Sequence, residues 1–235
     1  MFAEGNDRGL LIVFEGCDGS GKTTQRKLFK SWLKSMNEDV VVTKWNSSPL
    51  FKPIIKTKKA ARCLDPVNFA HLHALDFRHR YQTIIKPSLE EGKIVIADRY
   101  VFTGISRDVA RSVSREWSTE LYSGVRRPDI VFYFSGSPDV FAERIEASRH
   151  IKFYESGQDV TGLNDPRESY LRFARKVMRE YEKLQKQFDF IVVDAHQSIY
   201  NQHRLIRNTY LDRSMASPVV PSAVATAQAH LSASI

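Results

Sequence analysis

Short apolar runs alternate along this chain with longer stretches in which apolar residues recur at helical spacing. Residues 10–14 read Leu-Leu-Ile-Val-Phe, the unbroken run of a strand covered on both faces. Over 22–36, Leu28, Phe29, Trp32, Leu33 and Met36 fall on one helical face. The pattern goes on to predict a strand over 40–43, a largely helical segment over 69–89 with Pro87 in its last turns, and a strand over 94–97 running into Asp98. A strand over 129–134 and a helix over 138–147 opened by Pro138 follow. A long helix over 167–187, a strand over 190–193 and a helix over 197–211 complete the series. Strands separated throughout by helices indicate the α/β class, with a parallel sheet covered on both faces. No internal repeat interrupts the order.

Composition narrows the class. The 235 residues suit one α/β domain with a full core. No apolar run approaches the ~18 residues of a membrane helix, and the start of the chain lacks the pattern of a signal peptide. Cys17 and Cys63 form no CxxC or Cys/His cluster, so neither a disulfide framework nor a zinc site is expected, and a reducing cytoplasm fits. From 214 to 235 there is no Asp, Glu, Lys or Arg, which suggests a low-complexity tail behind a domain over 1–213. The formal charge is +8, with Lys56, Lys58, Lys59 and Arg62 as the densest run. A solvated helix face accounts for that run. The balance suits an anionic small molecule or a nucleic acid, but no nucleic-acid recognition motif is present.

The chemistry concentrates behind the first strand. Gly16 to Thr23 matches G-x4-G-K-[ST], between an apolar strand and an amphipathic helix. Such a loop wraps consecutive backbone N–H groups around the β-phosphate of a nucleotide, and Gly16, Gly19 and Gly21 permit the tight turns and close approach this needs. The following helix aims its positive end at the anion. Lys22 is a point charge for the β/γ oxygens, and the Thr23 hydroxyl is a ligand for Mg²⁺. Residues 16–24, with Asp18, Ser20 and Thr24 among them, are therefore the expected Mg-ATP site. The NKxD-type base reader of a GTPase does not occur.

Read with its flanks, FEGCDGSGKTTQ over 14–25 resembles the opening of the thymidylate kinase family. IKPSLEEGKIVIADRY over 85–100 is similar to that family's helix, turn and strand ending in Asp-Arg-Tyr. Residues 127–134 resemble its strand begun by Pro-Asp, and 141–145 its Glu-Arg-Ile helix leading into a lid. The resemblance spans roughly 10–211. It implies a three-layer α/β/α P-loop NTPase fold with about five parallel strands and a lid over about 148–165. It also implies direct transfer of the γ-phosphoryl group of ATP, with Mg²⁺, to a nucleoside monophosphate, and it suggests a homodimer. Asp18 corresponds to the aspartate at the acceptor's sugar hydroxyl, and Arg99 to the arginine on the acceptor phosphate. Asp98 corresponds to a carboxylate near the metal and phosphates. Gly19 stands where some members carry Arg, so the resemblance is to the class that brings catalytic cations from the lid, here Arg144, Arg149 and Lys152.

The acceptor side departs from the family pattern. Aligned through Pro87, His73 falls at the thymine-stacking Phe and Phe77 at the carbonyl-reading Arg, with Arg78 or Arg80 as substitutes from a neighbouring turn. Beyond Tyr100, the stretch opened by Thr103 has Arg107 in place of a Tyr and Asp108 in place of a Gln. These changes bear on acceptor choice more than on phosphoryl chemistry. They leave open dTMP, a related nucleoside monophosphate, or another nucleoside or small metabolite. A nucleotide-binding regulatory module with weak catalysis is the alternative of another class, against which Lys22, Thr23, Asp98 and Arg99 argue. His71, His73 and His79 lie near one another on a helix but lack a carboxylate partner for a metal.

Overall fold

The computed structural model of the chain describes residues 1–3 and 9–216. A short parallel pair joins β1 (Phe2–Ala3) to β5 (Val125–Arg126). The main sheet has five parallel strands: β2 (Leu10–Gly16), β3 (Val40–Lys44), β4 (Ile94–Asp98), β6 (Ile130–Ser135) and β7 (Ile191–Asp194). Their order is β3-β4-β2-β6-β7, so β2 lies at the centre. Alternate side chains of a strand point to opposite faces, and each face of β2 has its own core. Leu11 and Val13 pack with Phe77, Tyr100, Ile105 and Tyr181 on one side. Ile12 and Phe14 pack with Phe29, Leu33, Ile206 and Tyr210 on the other. Burial on both faces is why the run over 10–14 carries no polar residue.

The second face is covered by α1 (Lys22–Ser35) and α11 (Ile199–Ala216). Of the apolar stripe expected on α1, Phe29 and Leu33 are buried, whereas Leu28 is exposed. The segment expected as one helix over 69–89 is three pieces: α3 (Pro66–Arg80), a π-helical turn (Tyr81–Ile85) and α4 (Lys86–Glu90). Pro87 has no N–H to return to the carbonyl four residues earlier, and its ring crowds that carbonyl. The helix widens ahead of it, and the Lys86 N–H reaches back to the Tyr81 carbonyl. The pattern did not foresee α2 (Lys52–Ala60), α5 (Val101–Ala110) or α6 (Arg115–Leu121). On α2 the basic run divides: Lys56 and Lys58 are exposed as expected, but Lys59 is half-buried.

The expected lid follows α7 (Pro138–Glu146) and holds α8 (Phe153–Ser156) and α9 (Gln158–Thr161). Most of it is docked on α5 and α10 (Pro166–Phe188). Arg111 donates to Asp159 at 2.7 Å and to the Tyr154 carbonyl at 2.8 Å, and the Ser169 hydroxyl donates to the Ser156 carbonyl at 2.9 Å. Its exposed parts are its root, from Ser148 to His150, with Lys152, and its far end at Gly162, Asn164 and Asp165. At the other end of the chain α11 continues to Ala216, so residues 214–216 belong to that helix rather than to a tail. The rest of the expected tail, 217–235, lies outside the described residues. No helix among the described residues is long and apolar enough to cross a membrane.

Candidate active site

In an open parallel sheet the crevice for ligands lies beyond the carboxyl ends of the strands. Here Phe14 of β2 stands opposite Asp98 of β4, and the chain beyond each turns into one cavity of about 580 Å³. Gly21, Lys22, Thr23 and Thr24 line it, with Asp98 and Arg144. The loop can lie this way only with glycine at 19. Its φ is +80°, and a methyl group there would stand 2.3 Å from the Phe141 carbonyl oxygen. An arginine at that position is sterically excluded, which fits cations arriving from the lid instead.

Lys22 is buried, its ammonium donating to the Ser20 hydroxyl at 3.0 Å and to the Cys17 carbonyl. Burial and then the Arg99 charge pull its pKa down to about 8. A polyphosphate would reverse that balance. Thr23 and Thr24 are exposed at the mouth. Asp98 accepts from Arg26 at 3.0 Å. Arg144 donates to the Ala195 carbonyl at 3.0 Å, and Arg149 makes a forked pair with Glu155 at 2.7 and 2.6 Å. Burial pushes the Cys17 thiol up, as expected of a side chain that fills the loop rather than reacts.

A second cavity, of about 400 Å³, adjoins the first and shares Asp18, Trp45, Arg99 and Arg149 with it. Asp18 is the hinge between them. One carboxylate oxygen takes Arg99 at 2.7 Å and the other takes Arg107. Burial opposes its charge, but Arg99 and Arg107 outweigh burial and hold the carboxyl well below the usual range. Tyr170 donates to the Asp18 carbonyl at 2.7 Å. Arg99 also donates to the Gly16 carbonyl at 2.9 Å, from a backbone held at φ 76°, a region non-glycine residues rarely occupy. Behind it lies Glu15, fully buried, which accepts from the Tyr100 and Thr103 N–H groups, the Thr103 hydroxyl and the Tyr181 hydroxyl. This network anchors the turn after β4 that presents Arg99.

The expected acceptor-reading residues divide. Asp18, His73, Arg99 and Arg107 line the smaller cavity, as do the expected lid cations Arg149 and Lys152. Phe77, Arg78, Arg80, Thr103 and Asp108 are not among its lining residues, and each has another occupation. Phe77 is in the core against Tyr100 and Tyr122. Arg78 donates to the Ser123 carbonyl at 2.6 Å. Arg80 is fully buried, pairing with Asp76 at 2.8 Å and donating to Thr43 at 2.9 Å. Thr103 serves the Glu15 network, and Asp108 accepts from the Ser118 hydroxyl at 2.8 Å inside the α5–α6 junction. A π-helical turn lies between these positions and Pro87 and adds a residue to the helix. The three histidines have separate partners: His71 packs on Trp117, His73 meets Lys59, and His79 bonds Ser48. No group of three His, Cys, Asp or Glu side chains could hold a metal among the described residues.

Sequence reasoning missed Trp45, Lys59, Phe69 and Tyr154, which line the smaller cavity. Of its basic run, Lys59 alone is half-buried, which only the fold reveals. The others are ordinary aromatic residues until the fold gathers them.

A family model described as thymidylate kinase matches residues 14–206. A Saccharolobus solfataricus protein named "Probable thymidylate kinase 2" is 40% identical over 213 residues, covering 88% of this chain and 100% of the relative. The "Thymidylate kinase" of Schizosaccharomyces pombe is 31% identical over 85% of this chain and 90% of its own length. A "Probable thymidylate kinase" of Pyrococcus abyssi is 30% identical over 83% of this chain and 93% of its own.

Proposed function

The chain belongs to the thymidylate kinase family of ATP-dependent nucleoside monophosphate kinases, and we propose that it phosphorylates dTMP to dTDP with ATP in the larger cavity and dTMP in the smaller. The observation that carries this assignment is the shared wall. Asp18 and Arg99 border both cavities, so a donor γ-phosphate and an acceptor phosphate meet at Arg99 while Asp18 faces the acceptor's sugar. Transfer is then a matter of position and charge. The backbone of the phosphate loop and Lys22 hold the donor. Arg99 takes the acceptor phosphate, and Asp18 orients the acceptor's sugar. Arg144 and Arg149, at the root of the lid, reach the donor cavity and neutralise the charge that spreads over the moving phosphoryl group. Lys152 opens only on the acceptor side.

The residues at the mouth fit Mg²⁺. Thr23 and Asp98 offer hard oxygen ligands on one cavity, and so few protein ligands suit an ion that keeps water and phosphate oxygens around it. Bound there, the ion would screen the β- and γ-phosphate charge. Two further readings go with the proposal. Cys17 and Cys63 are unpaired, which suits the reducing cytoplasm. Val67 and Leu75 are exposed on α3 beside the His71–Trp117 contact, an apolar strip that supports a homodimer and that sedimentation would test.

The direct test is steady-state turnover with Mg-ATP and a panel of nucleoside monophosphates. Efficient conversion of dTMP is expected. ATP binding with no phosphorylation of any acceptor would return the chain to the regulatory-module reading.

A further inference from the structure

We propose that Lys59 reads the acceptor's base, donating to a ring carbonyl where dTMP carries O4 and rejecting an exocyclic amine at that position. The inference rests on the smaller cavity being the acceptor site, as proposed above. It begins with a missing reader. The arginine expected at 77 is a phenylalanine in the core, and Arg78 and Arg80 are engaged elsewhere. Arg99 and Arg107 are held on Asp18, and Arg149 on Glu155. Lys59 is differently placed. Its ammonium stands 3.0 Å from His73 Nε2 and 4.9 Å from the centre of the Phe69 ring.

Hydrogen-bond chemistry fixes what that ammonium can do. His73 Nδ1 lies 2.7 Å from the Phe69 carbonyl, which can only accept, so Nδ1 carries the proton. Nε2 must then accept from Lys59. Burial, and then the Lys59 charge, hold the imidazole pKa well below its ordinary value, in keeping with a neutral ring. Burial, and then the charge of Arg107, pull the Lys59 pKa down to about 7; a ring carbonyl beside it favours the charged form, which has three N–H groups and no acceptor. One goes to His73, and no carboxylate pairs with Lys59 among the described residues. The remaining donors are available to the cavity.

Aromatic rings form one wall of a cavity that Asp18, Arg99, Arg107 and Lys152 also line. Phe69 and His73 stack at 3.9 Å between centroids, and His73 and Trp45 lie within 18° of parallel at 6.1 Å. A planar base set in this cavity meets a donor-only group at the aromatic wall. A 4-keto pyrimidine satisfies that donor. A 4-amino pyrimidine sets N–H against the N–H groups of the charged amine and leaves both unpaired, the arrangement that gives discrimination.

The test is Lys59→Met, which keeps the stem and removes the donors, assayed with dTMP, dUMP and dCMP under saturating Mg-ATP. Lys59 is half-buried on a surface helix, and thermal unfolding checks that the variant is folded. The KM for dTMP and dUMP should rise roughly 10- to 100-fold, and the preference for dTMP over dCMP should fall by about the same factor. The turnover number for dTMP and the KM for ATP should stay within about threefold, and Lys59→Arg should restore most of the preference. The substrate side gives an independent reading. With wild type, 4-thio-dTMP, whose sulfur accepts poorly, should lose about tenfold in KM, and with Lys59→Met almost nothing. A dTMP-over-dCMP preference untouched by Lys59→Met overturns this proposal alone. A wild type that phosphorylates none of the three overturns the acceptor assignment and takes this proposal with it.

Discussion

The two cavities share Asp18, Trp45, Arg99 and Arg149, yet they are made in opposite ways. The donor side rests on one contiguous loop whose working groups are its own backbone and adjacent side chains. Local sequence specifies it almost completely, so its chemistry has little room to vary. The acceptor side is assembled from distant pieces. Arg107 reaches Asp18 across 89 positions, and Tyr154 bonds Leu64 across 90. Under the proposal above, position 77 is given over to the core and the polar group comes from a different helix, at Lys59. A kinase scaffold can thus keep its phosphoryl chemistry fixed while its acceptor wall is rebuilt.

Replacing Lys22 with methionine is the strongest way to separate the two halves. Turnover should fall about 10³-fold or more, while calorimetric dTMP binding changes by less than about threefold. Equal loss of both would mean that the cavities act as one. Arg107→Ala comes next. It frees one Asp18 oxygen, so the KM for dTMP should rise about tenfold with the KM for ATP within about twofold, read from initial rates.

Asp108→Asn should have the smallest effect and none on turnover, because the side chain belongs to neither cavity. Burial raises the Asp108 pKa from 3.8 to about 7, against the opposing effect of its bond from Ser118. For an acid raised in this way, the folded state binds a proton that the unfolded state releases, so stability is full below about pH 4 and is lost as pH rises to about 7. The amide removes that cost. It should raise stability by about 1–3 kcal/mol at pH 8 and by almost nothing at pH 4, measured by denaturant unfolding at each pH.

What could be read from the chain follows the same division. The central strands were legible because burial on both faces leaves an apolar run, and the phosphate loop because its glycines and Lys22 are neighbours in sequence. Asp98 and Arg99 were legible through a strand that ends at the crevice. Phe77 and Arg80 lie on a helix whose buried positions mix polar and apolar residues, so no stripe in the sequence separates core positions from cavity positions there. Lys59, Phe69 and Trp45 were invisible for another reason. Nothing in a lysine or an aromatic residue marks it as cavity lining until α2, α3 and the end of β3 are brought together. Glu15 looked like one polar residue at the end of a strand, yet it organises the turn that presents Arg99.

The contact between Gly19 and Phe141 has a mechanical consequence. Phe141 sits in the first turn of α7, and the far end of that helix leads to Arg149. With no clearance for even one carbon between them, the phosphate loop and the near end of α7 behave as a single lever arm. A shift of the loop would therefore be passed directly to the root of α7, the helix that leads to Arg149.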